Sequence, residues 1–187
     1  AMQRSEELVE TSQLLFQEFN KLHLVSLGEY PDRAFIGIPD KSHTKVDFWS
    51  TDLKGTGINY KFEGNVEEPY LFNRCIEAWK NEEKSIIIDL DGMELASYLD
   101  YLKSIGFPVA ESHYQRRRIH YFAFFSKGLV GISTAHQLPP ETLPLLERFA
   151  GVFDLTYTRF LDLQKAEAQV RESKIELALE RVRARTM

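Results

Sequence analysis

The chain has a single cysteine, Cys75, among its 187 residues. One thiol excludes an internal disulfide, and no CxxC pair or Cys/His set stands at metal-ligand spacing, so redox and zinc chemistry have no support. Long apolar runs are missing too. None nears the roughly 18 residues of a membrane span, and the acidic N-terminal stretch lacks the apolar segment of a signal peptide. A cytoplasmic module without direct membrane insertion is expected. Basic clusters are scarce: 23 Lys and Arg face 28 Asp and Glu, for a net charge of −5, which argues against a nucleic-acid surface. The one dense run, Arg116-Arg117-Arg118, reads as a solvated strand entrance, with an anion site as the alternative. No GxGxxG, P-loop, GxSxG or HExxH motif is present, and Gly55-Thr56-Gly57 reads as a hairpin turn. The chain is therefore read as non-enzymatic.

What is present suits one globular core, since 43% of residues are apolar and 12% aromatic. Leu8, Leu15 and Leu22 recur at heptad spacing, with Ser12 and Phe19 on the same seam and Val9 and Phe16 beside it, which predicts an amphipathic N-terminal helix. Residues 32–40, 44–51 and 57–64 read as three strands of an antiparallel meander. Pro69 suits the first turn of a helix presenting Phe72, Cys75, Ile76 and Trp79, which makes Cys75 a core residue. The β-branched run at 85–90 predicts a strand covered on both faces. Asp91 and Glu94 suggest a capping pair for a helix carrying Leu95, Tyr98, Leu99 and Leu102, ended by Gly106 and Pro108.

Residues 118–126 and 128–135 read as a central hairpin. From about residue 141 a helix can run to the end, with Pro144 in its opening turn. At roughly 45 residues it would be ~70 Å long. Its first part, residues 143–163, is rich in Leu, Phe and Tyr and suits a core. The remainder is charged, with a thin seam of Ala168, Ile175, Ala178, Leu179 and Val182. One helix cannot bury that seam; the same helix of a second copy can, and a solvated tail is the alternative.

This element order resembles the GAF fold, and the strings LLERFAGVFDLTYTRFLDLQKAEAQ, residues 145–169, and ALERVRARTM, residues 178–187, resemble GAF-like repeats in two-component sensor proteins of the Bacteroidetes type. The resemblance spans essentially the whole chain. It implies an α+β fold with a central antiparallel sheet of about six strands, terminal helices on one face and middle helices on the other. The expected divisions are an N-terminal helix at 1–25, the GAF-like sheet and middle helices at 26–142, and at 143–187 an exit helix continuing into a coiled-coil signalling linker. It also implies one repeat of a tandem array, with adjacent repeats and a downstream output domain, such as a histidine kinase, as partners. The five histidines here lack the acidic neighbour of a phosphoacceptor helix, so any kinase chemistry would lie elsewhere in the parent.

No NKFDE-type pattern is discernible, and Cys75 is followed by Ile76 rather than the histidine of bilin-binding members. Neither ligand is carried over, and the cofactor stays unknown. A small-molecule pocket remains the functional expectation. Ile119, Tyr121, Ala123 and Phe125 alternate with His120, Phe122 and Phe124, so one of these faces should look into a cavity. Tyr60, Tyr98, His113, Arg116 and His120 are the polar candidates beside it. Packing with satisfied hydrogen bonds is the alternative for Tyr60, Tyr98 and His120, and a haem at His120 lacks any second indicator. The rival to a sensor is a spacer whose aromatics fill the cavity themselves.

Overall fold

A computed structural model describes residues 33–51, 58–109, 111–115 and 117–185. The expected N-terminal helix lies outside them. Six strands form one sheet: β1 (Arg33–Pro39), β2 (Lys45–Thr51), β3 (Ile58–Asn65), β4 (Ser85–Leu90), β5 (Arg118–Phe125) and β6 (Gly128–Thr134). Their order is β3-β2-β1-β6-β5-β4, and every neighbouring pair is antiparallel. The helices are α1 (Phe72–Lys80), α2 (Gly92–Ser104) and the 44-residue α3 (Thr142–Arg185), with a 3-10 turn at Glu111–Gln115. The fold is α+β.

Alternation along the strands sorts the side chains onto two faces. The first carries Phe35, Val46, Phe48, Phe62, Ile88, Leu90, Phe122 and Leu129. It joins Leu71, Phe72, Cys75 and Ile76 from α1 and Leu95, Tyr98, Leu99 and Leu102 from α2 in one buried cluster. The second carries Ile36, Val130, Ile132, Tyr121 and Ala123, also buried. Ser85 Oγ, on that second face, donates to Glu147 Oε1 at 2.5 Å, and Leu146 and Ala150 are buried nearby in sequence on α3. The middle helices and the start of α3 thus serve opposite faces.

Three local expectations change. β4 is an edge strand, with Ile87 46% exposed, because a short apolar run cannot reveal whether a further strand lies beyond it. Pro69 precedes α1 instead of opening it. Glu68 performs the capping, its carboxylate accepting the N–H groups of Tyr70, Leu71 and Phe72 at 2.9, 2.8 and 2.9 Å. Asp91 does hold the extended N-cap position of α2, but its side chain makes no capping bond.

The chain divides into two units, Ala1–Ala150 and Gly151–Met187. In the second, Phe153 is buried and stacks on Tyr157 with ring centroids 5.7 Å apart. From Leu163 onward the apolar side chains Val170, Ile175, Leu177, Leu179 and Val182 are all exposed.

Candidate functional site

α2 ends in a way that shapes a cavity. Gly106 takes φ +82°, Phe107 N–H donates to Leu102 O at 2.9 Å and Gly106 N–H to Lys103 O at 3.1 Å. This is the paired bonding of a Schellman stop, which requires a residue tolerant of the left-handed region. The turn delivers Phe107 against Phe62, centroids 4.8 Å apart, and against the guanidinium of Arg33 at 4.9 Å. Tyr60 meets Phe107 at 5.6 Å and lies under the same guanidinium at 5.4 Å.

Behind this wall is a cavity of about 40 Å³, bordered by α2, the segment after it and the first sheet face. Tyr98, His113 and His120, three of the expected residues, line it. Tyr60 stands one layer away, holding Arg33. Arg116 lies outside the described residues. Arg33 and Ser133, which the sequence reading did not single out, also line the space, as does Arg118, named there only as part of the basic run.

Arg118 corrects the reading of the basic run as a solvated entrance. It is only 8% exposed, whereas Arg117 faces out and binds Asp89, donating through Nε to Oδ1 at 2.7 Å. The signal was available, since Arg118 stands two residues before His120 and a strand must point both the same way. Register extends the row: Arg33 pairs with Ser133, and Ser133 with His120.

His120 is 3% exposed, and neither ring nitrogen has a hydrogen-bond partner. Burial, reinforced by the charge of Arg118 and opposed by Asp89, pushes its pKa down to about 3, so the imidazole is neutral near pH 7. Burial likewise drives the Tyr98 phenol well above its ordinary range, with Glu68 and Cys75 adding to the effect while Arg118 and Arg33 oppose it. The phenol therefore keeps its proton as a hydrogen-bond donor. Ser133 sits across from His120 but shares no hydrogen bond with it, so the contact that would activate a serine nucleophile is not made. The Cys75 thiol is fully enclosed and its pKa raised by burial, which leaves it an inert core group. Among the described residues no group of three or more His, Cys, Asp or Glu could hold a metal ion, and no helix is long and apolar enough to cross a membrane.

The neighbouring part of the same face behaves differently. Phe35, Phe48, Phe62, Phe72 and Phe122 close on one another and leave no room for a water molecule. Phe48 stacks on Phe62 at 5.4 Å and tilts against Phe72 at 5.2 Å. Among the described residues, the chain's own aromatic side chains thus fill this part of the face, while the polar end keeps space. No protein-family model, curated protein or solved structure matches the chain.

Proposed function

We propose that the chain is a non-catalytic regulatory module of GAF-like type, one repeat of a bacterial two-component signalling protein, which binds a small molecule in the cavity under α2. The observation that carries this reading is His120, a buried polar ring with both nitrogens unused at the wall of a 40 Å³ space. Buried polar groups are ordinarily hydrogen-bonded, because leaving one unmade costs on the order of 1–3 kcal/mol. A bound molecule would supply the missing partner. Its contacts to Tyr98 would bear on the position of α2, and one of two packings of the terminal helices would then be favoured.

The output route in this reading is α3. Ala168, Ile175, Ala178, Leu179 and Val182 are exposed along Gly151–Met187. Ala168, Ile175 and Val182 are seven residues apart, so a second copy in parallel register offers a matching seam and a homodimer results. Adjacent repeats and an output domain of the same protein would receive the signal, in the cytoplasm.

The second reading is a ligand-free spacer and dimerisation module within a tandem array. The aromatic half of the face, closed with no room for water, favours it. Native mass spectrometry of protein purified from its own cells separates the two. A reproducible noncovalent adduct absent from the denatured mass supports the sensor; a bare dimer in repeated preparations supports the spacer and defeats the sensor.

A further inference from the structure

We infer that the cavity takes a small uncharged molecule whose polar end both donates and accepts hydrogen bonds, as a short primary amide does, with that end on His120 and Tyr98 and its carbon tail on the apolar lining. This rests on the ligand-binding reading above and names the ligand's class.

The groups that await a partner come first. His120 Nδ1 and Nε2 are buried and make no hydrogen bond. Burial holds the ring neutral near pH 7, and a neutral imidazole offers one donor and one acceptor. The Tyr98 phenol, its proton held by burial, adds a hydroxyl across the 5.6 Å ring contact, and Ser133 adds another from β6. All of these are uncharged. Arg33 and Arg118 line the same space, but each has interactions of its own, so the walls set no requirement for a counter-ion. A charged ligand would give up its hydration for hydrogen-bonding groups that are neutral, whereas an uncharged one loses far less on entry.

Size and lining narrow the class. Since a water needs about 10–15 Å³ of such space, the 40 Å³ cavity admits roughly three or four water-sized groups. Leu99, Leu102 and Val109 supply apolar lining, so a ligand polar throughout would leave some of its own groups unpaired. A hydrocarbon would leave His120 unmet, and a group that only accepts would leave the bare ring nitrogen without a donor. A primary amide avoids both defects. Its oxygen can accept the Tyr98 O–H while its NH₂ donates to the bare nitrogen, and a short carbon tail takes up the remaining space.

The test is calorimetric titration of the full chain with propionamide, using sodium propionate as the charged isostere and acetone as a molecule that only accepts. Saturable binding of propionamide is expected, with propionate and acetone at least tenfold weaker. His120→Phe, which keeps a ring and loses both nitrogens, should bind at least tenfold more weakly with an unchanged circular-dichroism spectrum. Tyr98→Phe, which loses only a hydroxyl, should also weaken binding and keeps the inference testable if His120→Phe does not fold. Equal or tighter binding of propionate or acetone, or full affinity in the folded variants, would overturn it. An adduct in the native mass spectrum, with no propionamide binding, sinks the amide-like class but leaves the ligand-binding reading standing. No adduct and no binding of any of the three sink both.

Discussion

The phenol ring of Tyr98 meets the imidazole of His120 edge-on, with centroids 5.6 Å apart and planes at 87°. This contact joins α2 to the sheet at the cavity wall, and both groups are buried there. His120 also stacks on Phe122 at 6.0 Å. It is therefore held by rings while its nitrogens go unused. That combination has a consequence for stability that can be measured without knowing any ligand.

The consequence is an acid-sensitive fold. His120 has a folded-state pKa of about 3 against an ordinary 6.5, so the unfolded chain takes up the proton first. Its contribution is complete above pH ~6.5 and is lost as the pH falls from there toward 3. At about 1.4 kcal/mol per unit, some 2–3 kcal/mol should be gone by pH ~4.5. Asp40 and Asp89 have depressed pKa values, chiefly from the bonds of Ser42 and Arg117, and lose their contributions only below the ordinary carboxylate range. His120→Phe should flatten the urea-derived stability curve between pH 6.5 and 4.5 and leave the pH 7 value equal or higher. A variant curve parallel to that of the wild type would contradict the assignment.

A second prediction concerns Gly131 on β6. A Cβ there would run into the Phe122 ring and approach Tyr121 O at 3.0 Å, with the blocked ring locked in the aromatic half of the face. Gly131→Ala should cost about 1–3 kcal/mol in a urea melt. The double variant with Phe122→Leu should recover part of that loss. An additive double variant would show that the clash is not with the ring.

Glu68 offers a third. Its carboxylate accepts three N–H groups at the start of α1, a helix whose Leu71 N-cap supplies none. Glu68→Ala should destabilise by about 2 kcal/mol, and Glu68→Gln by less, since an amide oxygen still accepts. Equal melts for Ala and wild type would show that solvent satisfies these donors.

Glu68 also marks where reading the chain stops working. Strands and helices were legible wherever alternation or helical spacing was strong, as in Ile119 to Phe125 and in Leu95, Tyr98, Leu99 and Leu102. The α1 cap was not, because Pro69 offered a familiar helix opening while the actual acceptor lay one residue earlier. Part of the site was legible as well, since Tyr98, His113 and His120 do converge. Arg118 was hidden inside a basic run whose average character is solvated, though the pleat separates it from Arg117. Arg33 was hidden because its partner across the sheet, Ser133, is separated from it by most of the chain, and register is set by pairing rather than by local composition.

The last prediction divides α3. Phe153 is buried, and Phe153→Ala should cost ~3–5 kcal/mol of stability. Ile175 and Val182 are 55% and 61% exposed, so replacing both with Asp removes little burial within one chain and should leave the thermal melt of the sheet unit nearly unchanged. If their seam pairs two copies, however, four carboxylates would be forced together at that interface, and light scattering should report a shift from dimer toward monomer. Dilution of the wild type should reproduce the same shift at a lower concentration, as mass action demands. Loss of folding in both sets of variants would mean that the exposed seam belongs to the folded unit itself, and with it the separate roles for the two parts of the helix would fall.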